Sequence, residues 1–264
     1  MNKLDLTTLS YTYGLTGLLI VISAILIAVY LLYAYVKSED QSPLTLVLAI
    51  QVFIMGSPWF GVSTNFLTAY FGHDYIGDRG YLMLASFWIF GLPAALYVTV
   101  SLINPEKTKL ILALSLIISM IMFFVVYILV PADIIDITTV FESTPAEPGG
   151  LPDAKFIGLL GLYLALTIAI LIVSGVMFML TAYRTYIPLV KARAIPIGLG
   201  FLIYSLFGLI DGIASMNLEV IVLIVRIGIL VSLLLVMMGV TLPGFIFKRF
   251  GIEKINDKNK GVNE

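Results

Sequence analysis

The run Tyr13-Gly14-Leu15-Thr16-Gly17-Leu18-Leu19-Ile20-Val21-Ile22-Ser23-Ala24-Ile25-Leu26-Ile27-Ala28-Val29-Tyr30-Leu31-Leu32-Tyr33-Ala34-Tyr35-Val36 decides how the chain is read. It holds no charged residue. At a rise of 1.5 Å per residue it exceeds the roughly 20 residues that cross a hydrocarbon layer about 30 Å thick. A secretory signal has a basic start, an apolar stretch of about 7–15 residues and small residues at a cleavage site. This run is too long for that pattern and is read as a retained first membrane helix.

Six more runs of the same kind follow. Apolar stretches between charged or turn-rich breaks lie near residues 12–36, 44–70, 80–103, 109–131, 156–183, 195–215 and 219–243. They predict an all-α, polytopic membrane protein: a seven-helix transmembrane domain over residues 1–250 and a short polar cytoplasmic tail over 251–264. Composition agrees, with 60% of 264 residues hydrophobic, 12% charged and a mean hydropathy of +1.07. A soluble domain of this size has no interior large enough for that apolar surface. Only Met216-Asn217-Leu218-Glu219 parts the last two runs, where a re-entrant hairpin is the alternative to two spans. Each run is long enough to cross, and two spans are expected.

Short cytoplasmic loops accumulate Lys and Arg. With the N-terminus outside, eleven basic residues fall on the cytoplasmic side: Lys37, Lys107, Lys109, Arg184, Lys191, Arg193, Lys248, Arg249, Lys254, Lys258 and Lys260. Only Lys3, Arg79 and Lys155 fall outside. A multi-pass protein of the cell membrane, N-terminus out and C-terminus in, is expected.

The longest connection, about 132–155, carries Asp133, Asp136, Glu142, Glu147 and Asp153 among Pro145, Pro148, Gly149, Gly150 and Pro152. Proline and glycine break helices, so an irregular acidic outer loop is expected, either a lid or cation-attracting mouth or a solvated connector. Beyond Pro243-Gly244, Phe245-Ile246-Phe247-Lys248-Arg249-Phe250 alternates bulk with positive charge. It reads as an interfacial helix drawn to anionic membrane lipid, or as a flank that only sets topology.

Two charges interrupt the apolar runs. Asp211 in the sixth span and Arg226 in the seventh each cost about 2.5–3.5 kcal/mol to insert. Both lie about one to two turns from the connection between those spans, so an antiparallel hairpin brings them level. The pair is a candidate ligand contact or switch, or a structural ion pair that fixes the register of two helices.

The second span holds Gln51, Trp59 and Asn65 around Pro58, and the third holds Trp88 ahead of Pro93. A proline removes an i−4 hydrogen bond and kinks a helix. Two kinked neighbours splay to form a pocket, expected between spans two, three, six and seven. The fourth span, nearly all Leu, Ile, Met, Phe and Val, is expected to face lipid.

Several chemistries are excluded. With no cysteine there is no disulfide, thiolate nucleophile or thiolate metal site. The one histidine, His73, falls in a connection, which leaves no bis-histidine haem or histidine-based protease site within the membrane. Lys248 lies past the last span, where it cannot hold a retinal. No basic patch interleaved with aromatics points to nucleic acid. No catalytic residue, cofactor or metal is expected, and the chain does not read as an enzyme.

The segments Ala182-Tyr183-Arg184, Lys191-Ala192-Arg193-Ala194-Ile195-Pro196-Ile197-Gly198, Arg226-Ile227-Gly228 and Gly239 with Leu242-Pro243 give the chain a likeness. It resembles the prokaryotic and archaeal seven-transmembrane sensory modules found at the N-termini of membrane histidine kinases and as stand-alone proteins. The resemblance implies a receptor-like sensor. Here no kinase domain follows the seventh helix, so a signal would pass to a separate cytoplasmic partner, through the basic inner loop at 184–194 and the C-terminal segment. A small-molecule or ion transporter is the alternative, from Pro58 and Pro93 near mid-membrane. An accessory subunit of a membrane complex is another, with Ser115 to Ser119 and Gly158 to Gly161 as close-approach faces.

Overall fold

Thr7 begins the first helix: its Oγ1 accepts the Ser10 backbone N–H at 3.2 Å, capping α1 (Thr8–Lys37), the length of the first apolar run. In the computed structural model, residues 7–38, 42–145, 151–213 and 219–242 are described. Seven helical segments among them are long and apolar enough to cross a bilayer, and the chain is an integral, multi-pass membrane protein with a seven-helix bundle. The turn between the last two spans, the segment 245–250 and the polar tail lie outside the described residues.

The second span joins α2 (Pro43–Gly56) to α3 (Phe60–Tyr70) through a 3-10 turn at Ser57–Trp59. The third joins α4 (Gly77–Ala85) to α5 (Gly91–Ile103) through a 3-10 stretch at Ser86–Phe90. The fourth is α6 (Thr108–Phe124), opened by a 3-10 turn at Pro105–Lys107 and ending in a π-turn at Val125–Leu129. Then come α7 (Gly158–Arg184), α8 (Pro188–Ile213) and α9 (Glu219–Thr241). The face where α1 starts is called the N-face, and the one where α9 ends the C-face.

The second span breaks at Pro58, inside its 3-10 turn, and the third breaks just ahead of Pro93, which lies in the first turn of α5. A carbonyl left without a helical donor in an apolar bundle costs several kcal/mol unless something else satisfies it. Ile54, four before Pro58, has its carbonyl bonded by Ser57 Oγ at 2.8 Å, and Met55 receives the Tyr204 hydroxyl at 2.8 Å. Ile89, four before Pro93, receives the Tyr163 hydroxyl at 2.8 Å, and Met83 receives that of Tyr127 at 2.6 Å. Tyrosines from three other spans therefore hold the two broken helices in shape.

Three expectations need correction. The connection at 132–155 is not irregular throughout: β1 (Phe141–Pro145) pairs antiparallel with β2 (Pro152–Phe156), Phe141 opposite Phe156 and Glu142 opposite Lys155. The signal was alternation, Phe-Glu-Ser-Thr on one side of Pro148-Gly149-Gly150 and Asp-Ala-Lys-Phe on the other, with both phenylalanines able to face one way. The hairpin closes the N-face. Phe141 is buried, the Leu151 N–H donates to Ser10 Oγ at 3.1 Å, and the Phe156 ring sits 5.1 Å from that of Trp88.

The basic loop at 184–194 is mostly helix. Pro188 opens α8, which leaves Thr185, Tyr186 and Ile187 as the connection and puts Lys191 and Arg193 on helical turns. Proline suits a first helical turn, where its missing N–H has no acceptor to serve. The third correction concerns the supposed faces for a larger complex. Ser119 Oγ lies 2.7 Å from the Tyr163 hydroxyl inside the bundle. A Cβ on Gly158 would stand 2.3 Å from the Thr139 carbonyl, and one on Gly161 2.7 Å from that of Phe156. These small residues let the chain approach itself.

The fourth span is the least enclosed of the seven, as its composition predicts. The spans that build the interior are the second and third, with α7, α8 and α9 packed in sequence beside them and α1 closing between α2, α3 and α9. Near mid-bundle α7 and α8 touch backbone to backbone, since a Cβ on Gly175 would lie 3.0 Å from the Gly198 carbonyl.

Candidate functional site

Arg226 is among the most deeply buried large side chains, 2% exposed, and Asp211 is 16% exposed. Arg226 Nε reaches Asp211 Oδ1 at 3.4 Å. That is long for a charge-assisted bond, which closes to about 2.7–2.9 Å. The rest of the guanidinium is held elsewhere. Nη1 donates to the Tyr13 carbonyl at 2.9 Å, and Cζ lies 5.0 Å from the Tyr13 ring and 6.0 Å from the Trp59 ring. Aromatic faces stabilise a desolvated cation by about 2 kcal/mol. Trp59 Nε1–H in turn donates to Asp211 Oδ2 at 3.0 Å. The expected pair thus forms part of a four-residue network drawn from α1, the second span, α8 and α9.

Gly17 makes room for it. A Cβ there would stand 3.1 Å from Arg226 Nη1 and 2.9 Å from Val62 Cγ1, closer than carbon normally approaches. Tyr13 and Gly17 sit in the first apolar run, where nothing in composition marks them as partners of a charge 213 or 209 positions away.

Beside this network lies a partly enclosed cavity of about 100 Å³. It is lined by Gln51, Pro58 and Trp59 of the second span, Tyr81 and Trp88 of the third, and Leu164, Thr167, Ile168 and Leu171 of α7. Tyr204, Gly208, Asp211 and Gly212 of α8, Arg226 of α9 and Phe156 of β2 line it as well. The expected walls, spans two, three, six and seven, are there. The fifth span and the hairpin were missed, because Leu164 to Leu171 reads as ordinary lipid-facing sequence.

Of the predicted residues, Asp211, Arg226, Gln51, Trp59, Trp88 and Pro58 share this cavity. Asn65 does not. It is buried, and its Oδ1 accepts the Ile76 backbone N–H at 2.9 Å, which fastens the turn between spans two and three. Pro93 is buried on α5 and acts on the site only through the break before it. Gln51 and Trp88 are 1% and 3% exposed, yet Gln51 Oε1 and Trp88 Nε1 have no hydrogen-bond partner. Buried polar atoms nearly always have one, so an orphan donor and an orphan acceptor on two cavity-lining residues point to an occupant that reaches them.

A second cavity, of about 190 Å³, opens at the C-face. Ser42, Thr45, Thr181 and Arg193 meet Leu48, Leu102, Phe178 and Ile197 there. Along the same helices, Val52, Ala95, Val98, Phe201, Ile229 and Leu233, all buried, separate the two. Among the described residues no group of three or more His, Asp or Glu could hold a metal ion.

No protein-family model matches this sequence. A comparison with curated proteins gives no match either. Chemically, the arrangement offers a sheltered apolar volume, one free N–H, one free amide carbonyl and an ion pair whose two members each have a second partner.

Proposed function

We propose that this protein is a receptor-like, non-catalytic seven-helix sensor. A small molecule held in the cavity near the N-face shifts α8 against α9 through Asp211 and Arg226, and the C-face carries the change to a separate partner. The N-face is outside the cell in this reading, as the distribution of Lys and Arg requires. The observation that carries it is the cavity itself, lined by two residues that each carry an unpartnered buried polar atom, with a 3.4 Å ion-pair contact between α8 and α9 at its edge. Each member has a neutral second partner, the Trp59 N–H for Asp211 and the Tyr13 carbonyl for Arg226, so both stay hydrogen-bonded when the pair opens, which is what a two-state element needs.

Because the chain has no cysteine, spin labels can be placed singly. Labels at Val190 and Thr241, near the C-face ends of α8 and α9, would report their separation in lipid nanodiscs. Asp211→Asn, which removes the charge and keeps the shape, should change the distance distribution between them. An unchanged distribution refutes coupling between the site and the C-face.

The stacked cavities favour one other reading, a transporter that opens to each face in turn about the plug at Phe201. It predicts that a cysteine at Gln51 reacts with a membrane-impermeant thiol reagent from the C-face as well as the N-face. The sensor reading predicts reaction from the N-face at most.

A further inference from the structure

The cavity has a roof and a floor but an unfinished side wall. Above it, β2 lies against α3, α7 and α8, with Phe156 turned onto Trp88. Below it stands the buried layer around Phe201. Between α7 and α8 the packing is tight at Gly175 and Gly198. Nearer the N-face, α8 presents Gly208 and Gly212 to the cavity. A Cβ on Gly208 would meet only the Tyr204 ring of its own helix, at 3.7 Å, and one on Gly212 would meet nothing within 4 Å. Gly212 is exposed. Among the described residues nothing therefore fills the cavity wall on α8 at these two glycines, which leaves an opening there.

The occupant must be uncharged at its buried end. Asp211 and Arg226 already neutralise one another, while Trp59 Nε1–H donates to the carboxylate and the Tyr13 carbonyl accepts from the guanidinium. A second charge would be desolvated without a counter-ion, which is strongly unfavourable. It must also both accept and donate: Trp88 Nε1–H lacks an acceptor and Gln51 Oε1 lacks a donor. A hydroxyl does both. The two orphans stand on different levels. Ile54 meets Gly91 across the spans, its Cγ2 3.1 Å from a Cβ placed there. Gln51 is three residues to the C-face side of that contact and Trp88 three to the N-face side, about 9 Å apart along the axis. A head with more than one oxygen serves both levels.

We infer that the cavity takes the head of an uncharged, polyhydroxylated single-chain amphiphile, of the monoacylglycerol kind, which slides in from the bilayer past Gly208 and Gly212 and leaves its chain in lipid. The inference rests on the sensor reading and names the class of molecule sensed. At about 100 Å³ the cavity is smaller than the roughly 150 Å³ that takes a benzene ring, so only a small head enters and the chain stays outside.

The test uses the full chain in nanodiscs and its own fluorophores, because Trp59 and Trp88 are the two tryptophans of the protein and both line the cavity. Monododecanoylglycerol is titrated into the bilayer against dodecanoate, dodecyltrimethylammonium, dodecane and free glycerol, with tryptophan emission and thermal midpoint as readouts. A saturable emission change and a raised midpoint are expected with monododecanoylglycerol alone. Gln51→Leu should weaken it about tenfold or more. Gly212→Leu, which places its side chain in open space and so leaves the fold intact, should also weaken it by closing the opening.

Equal response to a charged chain overturns the neutral head. Equal response to free glycerol, or an undiminished response in Gly212→Leu, overturns entry from the bilayer. If no probe changes the emission while Asp211→Asn still moves the labels at the C-face, the amphiphile is refuted and the sensor reading stands. If neither responds, both fall.

Discussion

The Asp211–Arg226 contact can be tested by a double-mutant cycle whose outcome follows from the geometry. Asp211→Asn keeps an oxygen for Trp59 Nε1–H but leaves the guanidinium, 2% exposed, without its counter-charge. Breaking a buried pair from one side costs about 3–5 kcal/mol. The Tyr13 carbonyl and the two aromatic faces remain for Arg226, so the lower end, about 3 kcal/mol, is expected. Arg226→Met strands the carboxylate instead, which is 16% exposed and keeps the Trp59 bond, at a cost of about 3 kcal/mol or less. Independent sites would give about 6 kcal/mol for the double variant. With no charge left to desolvate, the double variant should lose no more than either single one, a coupling of about 3 kcal/mol. The assay is equilibrium unfolding in mixed micelles with increasing dodecyl sulfate, followed by circular dichroism. Additivity within about 0.5 kcal/mol would show that the two groups do not support each other.

Three further outcomes follow. Tyr163→Phe should cost about 1–3 kcal/mol by orphaning the Ile89 carbonyl, and Pro93→Ala, which supplies the missing N–H, should reduce that loss when the two are combined; no such rescue in the same unfolding assay would mean that Tyr163 is not answering the break. Gly17→Ala should destabilise by about 1–3 kcal/mol through overpacking against Val62 and Arg226, and should shift the emission of Trp59; a neutral effect on both would show slack that the 2.9 Å approach does not allow. Asp136 caps the turn at Ile137–Thr139, and the Thr138 backbone N–H, 3.0 Å from its Oδ1, holds its carboxyl below the usual range, with a side-chain hydrogen bond from Thr138 acting the same way. A depressed pKa stabilises the fold above the ordinary carboxylate value, and that contribution disappears as pH falls through the folded value. Below about pH 4 the turn leading into the hairpin should become more open to acid-active protease, and Asp136→Asn should abolish this pH dependence; cleavage independent of pH in the parent chain would refute the cap.

The seven spans were legible because membrane insertion is a local property: about 20 apolar residues suffice whatever surrounds them. The second and third spans could also be seen to be broken, since Pro58 and Pro93 remove N–H groups wherever they fold. Asp211 and Arg226 stood out for a similar reason, as charges too costly to insert without partners. Their common depth followed from counting turns back from one short connection.

What occupies the other side of each group was not legible. That Arg226 rests on the Tyr13 carbonyl and needs Gly17 to be bare depends on which helix packs beside α9, and apolar sequence does not encode that choice residue by residue. Asn65 shows the same limit: a buried amide reads alike whether it lines a cavity or fastens a turn, and only the position of the Ile76 N–H separated the two. The sequence by itself determined how many helices cross and where they are polar or bent. The tertiary structure decided that α7 and β2 complete the cavity, that Gln51 and Trp88, which line it, are left with unpartnered polar atoms, and that α8 meets little at Gly208 and Gly212. Those are outcomes of packing, which is set by contacts between residues far apart in the chain, whereas insertion is set by neighbours along it.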